Sequence, residues 1–200
     1  MERVTDTPPA LVIGLANPGP DYVGTRHNIG ADVLAELASR ALPMPASFSV
    51  HKKTNCDIAQ TRLADRPAVL ARPRSFMNLS GGPVAAVARY FGVAATDLIV
   101  IHDEIDLDFT RVRLKRGGGE GGHNGLRSIS KSVSTRDYQR VRVGVGRPPG
   151  RMDAASYVLK RFDRQEQPSV PLLISDAADA TELLLRHGLA TAQNEVHAWS

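Results

Sequence analysis

The segment Leu11-Val12-Ile13-Gly14-Leu15-Ala16-Asn17-Pro18-Gly19-Pro20-Asp21-Tyr22-Val23-Gly24-Thr25-Arg26-His27-Asn28-Ile29-Gly30 decides how the chain is read. Its apolar start predicts a short buried strand, and the Gly and Pro that follow stop any helix from continuing it. A helical pattern resumes at 31–38, with apolar residues at 33, 34, 37 and 38. In open α/β sheets, ligands bind outside the carboxyl ends of the strands. Here such an end delivers Asn17, Tyr22, Thr25, Arg26, His27 and Asn28. A structural loop needs Gly and Pro, but it does not need a His between an Arg and an Asn. The loop therefore reads as the place where the chemistry is done.

The helix ends near Pro43, and 43–56 reads as loop. Strand-like runs at 56–63 and 68–71, joined by 64–67, predict a hairpin. The stretch 72–83 leads into a helix over 84–91, with Ser80 as N-cap, Pro83 in the first turn and Gly92 as the stop. Composition makes 98–101 a fully buried strand that hands on His102-Asp103-Glu104. The runs 111–114 and 138–146 alternate like strands, and a helix is expected from about 126 to 133. Pro148-Pro149-Gly150 opens a mobile-looking loop, and a last helix spans about 166–187 with breaks near Pro168 and Pro171. Strands alternating with helices predict a single-domain α/β/α sandwich with a mixed, largely parallel sheet. Its expected bounds are 11–190, between an N-terminal extension (1–10) and a C-terminal tail (191–200).

At 200 residues the chain is long enough for one domain with a sizeable core. Cys56 is the only cysteine, so no disulfide forms within the chain, as expected in a reducing cytosol. No apolar run approaches the ~20 residues of a membrane span, and the expectation is a soluble, cytoplasmic protein. A net charge of +4 and a pI near 9.5 favour a polyanionic partner without specifying one.

His27 is the leading candidate for a general base, with Asp103, at the end of a buried strand, as the carboxylate that orients it. The bland alternative for Asp103 is a cap on a backbone turn. No Gly-x-Ser-x-Gly elbow is present and Cys56 has no chemical context, so activated water is favoured over a covalent intermediate. The carboxylate-dense 102–108 lacks a spaced His pair, which argues against a metal. Asn17, Asn78 and Asn124 form a second set, since an amide both donates and accepts and so suits a peptide backbone or an oxyanion. The glycine-rich 117–125 is no P-loop, yet a helix starting after His123-Asn124 offers backbone N–H groups to an anion. Alternation places Arg111, Arg113 and Lys115 on one strand face, and Arg140 and Arg142 on one face of another. These basic stripes read as a phosphate track, or else as a solvated face.

The stretches 14–19, 25–28 (Thr-Arg-His-Asn), 76–81 (Phe-Met-Asn-Leu-Ser-Gly), 102–104 and 121–126 (Gly-Gly-His-Asn-Gly-Leu) resemble bacterial peptidyl-tRNA hydrolase, in order and spacing, over about 10–190. The resemblance implies a monomeric α/β sandwich with no metal and no organic cofactor. It implies hydrolysis of the ester between an N-blocked aminoacyl or peptidyl group and the 3′-terminal ribose of peptidyl-tRNA. Carried over by motif, His27 is the base, Asp103 its partner, and Asn17 and Asn78 hold the peptide backbone and terminal nucleotide. Asn124 positions water or the oxyanion, Met77 packs on peptide or base, and Tyr22 joins the substrate-binding set. Lys115 and Arg142 fall on the clamp for the tRNA 5′-phosphate. Glu120 departs from the family pattern and puts a negative charge beside the expected tRNA channel. A non-catalytic RNA-binding protein and a small-molecule esterase are the alternatives; a complete His–Asp–Asn set speaks against the first, the basic stripes against the second.

Overall fold

Four runs rich in aliphatic residues become the parallel centre of a seven-stranded sheet: β1 (Ala10–Gly14), β4 (Arg66–Pro73), β5 (Leu98–Glu104) and β7 (Gln139–Gly144). The structure, a computed structural model, describes residues 7–199. The strands β2 (Ser49–His51), β3 (Cys56–Leu63) and β6 (Val112–Arg116) add antiparallel at the margins, giving the order β2-β3-β4-β1-β5-β7-β6. Helices cover both faces of the centre, which is why β1 and the first part of β5 read as continuous apolar runs, while β7, next to the edge strand, keeps its alternating arginines.

On one face, α1 (Ile29–Ser39), α5 (Val170–His187) and α6 (Leu189–Val196) bury Val12, Ile99, Ile101 and Val141 under Leu34, Leu37 and Leu173. On the other, α2 (Gly81–Tyr90) and α3 (Asn124–Val133) close over Leu11, Ile13, Val100 and Tyr138. The α/β/α sandwich is the architecture expected. A Cβ on Gly30 would lie 2.5 Å from the carbonyl of Ile101, so only glycine lets α1 begin this close to β5.

Several local expectations are corrected. The hairpin turn is only Ala64-Asp65, both at positive φ (48° and 61°), so β4 starts at Arg66 and not at 68. Ser80 is not a side-chain cap: its hydroxyl is buried and donates to the Met77 carbonyl at 2.8 Å. The Ser128 hydroxyl accepts the Gly81 N–H at 2.9 Å and takes over the capping role. Pro171 does not break the last long helix, because it sits in the first turn of α5 where a missing N–H costs nothing. The loop opened at 148 contains a short helix, α4 (Ala154–Val158), capped by the Asp153 carboxylate on the Ser156 N–H. Of the expected N-terminal extension, residues 1–6 lie outside the described residues, and Ala10 already belongs to β1.

The stretch expected as a tail, 191–200, carries most of α6, with Ala192 and Val196 fully buried. This helix closes the edge strand β6. His197 Nε2 accepts the Leu114 N–H at 3.0 Å, and the Gln193 amide donates to the Leu114 carbonyl at 3.0 Å. An edge strand covered in this way offers no free ladder to a second chain at that residue.

Candidate active site

The loop after β1 is held by the residues that flank its histidine. Asn28 Oδ1 accepts the Asn17 N–H at 2.8 Å, and its Nδ2 donates to the Asn17 carbonyl at 2.9 Å, a two-bond staple across the loop. Arg26 is buried and donates to the carbonyls of Tyr157, Lys160 and Arg161 and to the Glu166 carboxylate (2.5 Å), with its guanidinium 4.1 Å from the Tyr157 ring centroid. Arg26 and Asn28 are therefore scaffold. Their polar character reflects hydrogen bonds to backbone that the sequence does not reveal.

His27, between them, meets Asp103 at the end of β5. Its Nδ1 lies 2.9 Å from both carboxylate oxygens, which leaves Nε2 for the cleft. Asp103 is 3% exposed. Burial alone would raise its pKa, but the imidazoles of His27 and His123 and their hydrogen bonds hold it well below the usual carboxylate range. For His27, burial opposes the charged ring, and the charge and hydrogen bond of Asp103 override it, raising the pKa above the usual 6.5.

The carboxylate has a second partner that the sequence reading missed. His123 Nε2 donates to Asp103 Oδ1 at 2.8 Å, while its Nδ1 accepts the N–H groups of Gly125 and Leu126 as the N-cap of α3. These contacts fix the tautomer. They also correct the anion expectation for the start of α3, where two of the first N–H groups are already taken. The signal in the sequence was the His immediately before a helix start, but only β5 packing beside α3 reveals the Asp103 contact. His102, the other neighbour, is buried, and burial together with the charge of His123 pushes its pKa down to about 3. It is a core residue.

The nitrogens of His27 and His123 and one Asp103 oxygen lie within 4.8 Å of one another, a grouping in metal-ligand reach. The donor set does not fit a cation. A metal on His123 Nε2 would displace the proton given to Asp103, while Nδ1 remains committed as acceptor to two backbone N–H groups.

Around this pair lies a cleft of about 340 Å³, lined by Asn17, His27, Met77, Asn78, Asp103, Glu104, Glu120 and His123-Asn124. Residues of α4 (Ala154, Ala155, Val158) and Leu159 form its apolar wall, and Ala154 and Ala155 belong to the stretch where the sequence predicts a mobile loop. Asn17 Oδ1 accepts the Met77 N–H at 2.7 Å, so its NH₂ is the end turned to the cleft. Asn78 and Asn124 are exposed, and Met77 is buried against the start of α3. Tyr22 does not line the cleft; it stands edge-on to the exposed Phe76 ring at 6.2 Å, beside Met77. None of the lining residues is Ser, Thr, Cys or Lys.

The basic stripes are only partly retained. Arg140 is 2% exposed and donates to the Gly118 and Gly119 carbonyls, so it anchors the glycine loop and is no phosphate contact. Lys115 lies over Gly118, and Arg142 stands diagonally across from it on β7. The Glu120 charge is answered by Arg136 at 2.9 Å.

Fold and site together define a class: an α/β sandwich with a carboxylate-bound histidine beside a cleft lined in part by amides, with no hydroxyl, thiol or amine side chain in its lining. The peptidyl-tRNA hydrolase family model matches residues 11–200. The peptidyl-tRNA hydrolase of Rhodococcus erythropolis is 60% identical over 193 residues, 96% of this chain and 99% of that protein. That of Mycobacterium marinum is 56% identical over 191 residues, 96% and 98% of the two chains. The crystal structure of peptidyl-tRNA hydrolase from Acinetobacter baumannii superposes with a TM-score of 0.88 at 30% identity, covering 96% of each chain. The chain belongs to the peptidyl-tRNA hydrolase family.

Proposed function

We infer that this protein hydrolyses the ester linking an N-blocked aminoacyl or peptidyl group to the 3′-terminal ribose of tRNA, releasing peptide and reusable tRNA. The observation that carries the mechanism is the His27–Asp103 pair beside a cleft whose lining holds no hydroxyl, thiol or amine nucleophile. Water is the attacking group. His27 Nε2 takes its proton, and Asp103 holds the ring and stabilises the imidazolium that forms. The Asn17 NH₂ and the Asn124 amide donate to the developing oxyanion or to the peptide carbonyls. Asn78, Met77 and Tyr22 (the last through Phe76) receive the peptide and the terminal nucleotide. Lys115 and Arg142 take the tRNA 5′-phosphate, one as a point charge and the other as a fork. The reading includes no metal or organic cofactor, a monomer, and action in the cytoplasm where tRNA is used. No helix among the described residues is long and apolar enough to cross a membrane.

The test is release from N-acetyl-aminoacyl-tRNA beside the unblocked aminoacyl-tRNA, with EDTA present. Fast release from the blocked substrate alone is expected. Binding of tRNA without release would make the protein a non-catalytic RNA binder. Equal release from both would make it a general esterase and remove the amide-recognition role of the asparagines.

A further inference from the structure

Around β5 and β7 three cations are each answered by an acid: Arg136, ahead of β7, by Glu120, and towards the carboxyl ends Arg147 by Asp106 and Arg142 by Glu104 at 3.1 Å. Two of these pairs have an arginine mostly in water, with side-chain exposures of 65% and 74%, where screening leaves an ion pair little weight. The third is sheltered, at 13% for Glu104 and 23% for Arg142. Its geometry is also one-sided. Glu104 Oε2 takes only the Nε edge of Arg142, and Oε1 is held in place by the Asp106 N–H at 3.0 Å. The two Nη groups of Arg142 form no hydrogen bond among the described residues, whereas Nε is already committed.

Glu104 thus sits beside a cluster of cations. Arg113 and Arg142 are directly opposite on β6 and β7, and Lys115 is the diagonal neighbour of Arg142. The carboxylate lowers the positive field of this cluster at the place where the reading above puts a tRNA phosphate. The phosphates of tRNA are the same before and after hydrolysis. Affinity for them stabilises substrate and product equally, and so lowers KM without raising kcat.

Resting on that reading of Lys115 and Arg142, we propose that Glu104 is a built-in competitor of the tRNA phosphate. It aims the Arg142 fork outward, weakens its hold, and so lets the deacylated product leave. Glu104 is a positioning residue: it acts on tRNA through Arg142.

The experiment measures binding of deacylated tRNA across a salt series for the wild type, Glu104→Gln, Arg142→Ala and the double variant. Glutamine keeps an acceptor for the Asp106 N–H and drops the charge. Glu104→Gln should bind about three- to tenfold tighter near 0.1 M salt, dissociate more slowly, and steepen the plot of log K against log salt by up to about 0.7–0.9. Arg142→Ala should weaken binding and flatten that plot, and the double variant should match Arg142→Ala. A carboxylate that merely held Arg142 in place would give equal or weaker binding in Glu104→Gln, and that result overturns the proposal. If Arg142→Ala binds as the wild type does, the phosphate reading itself has failed. Should Glu104→Gln melt out, Glu104→Ala carries the same expectation. In the wild-type protein, the Arg142 Nε–H resonance must also shift on adding deacylated tRNA, and a stationary resonance counts against competition at that edge.

Discussion

His27 has one nitrogen committed to Asp103 and the other left to the cleft, and this division makes its consequences measurable. His27→Ala should lower turnover of N-acetyl-aminoacyl-tRNA by about 10²–10⁴-fold while tRNA binding stays near wild type; equal turnover would remove His27 as the base. The proposed base would work neutral, and Asp103 raises its pKa, so kcat/KM should climb with pH to a midpoint above 6.5. Asp103→Asn removes the charge that raises it. The midpoint should then move down in pH as the plateau falls, and an unmoved midpoint would assign the acid limb to another group. That His27, Asp103 and the three asparagines would come together was legible in the sequence, because they lie in loops next to apolar strands or at a helix start, which an α/β sheet gathers at one end. The roles of Arg26 and Asn28 were not, since Arg26 finds its partners more than 130 residues away. His123 escaped for a similar reason, since it lies 20 positions along the chain from the carboxylate it shares.

At the level of elements, the long periodic segments were readable and the short ones were not. α1, α2 and α3 follow from apolar spacing, whereas β2 and α4, of three and five residues, carry too little pattern to be seen. α6 was hidden by its composition, since only Ala192 and Val196 are buried in it. The start of α1 also holds a testable tension. Asp32 lies in its first turn, and burial pushes its pKa up to about 6, against the charge of Arg72. A carboxyl whose pKa is higher folded than unfolded contributes most below about 3.8 and loses that contribution as pH rises through about 6. Asp32→Asn should therefore raise Tm at pH 8 by about 2–4 °C for each kcal/mol recovered, and change it little at pH 4. A gain of equal size at both pH values would point to packing and not to charge.

Across the whole molecule, the sheet order gathers four distant stretches at one end. The loop after β1, the turn after β4, the end of β5 and the start of α3 meet because β1, β4 and β5 run parallel side by side. The alternation of strands and helices made that convergence predictable, but the order of the strands and the covering of β6 by α6 depend on contacts between remote parts of the chain. The net charge of +4 acts at this scale too. Lys115→Ala should weaken tRNA binding and flatten its salt dependence by about 0.7–0.9 in the logarithmic slope, with no change in the pH midpoint of catalysis. Removing the 5′-phosphate from tRNA should weaken binding to the wild type and leave Lys115→Ala unaffected. A variant that still responds to that removal would place the phosphate elsewhere.

Arg26 joins the segment that carries His27 to the carbonyls at the end of α4, the apolar wall of the cleft. Base and wall are therefore parts of one rigid jaw. Widening the jaw for a bulkier guest would swing His27 with it, so under the proposed mechanism room for the peptide has to come from the solvent side, past Asn78 and Asn124. An enzyme built this way grips the first residues next to the ester and lets the rest of the chain trail outside. Its rate should depend little on how long that trailing chain has grown.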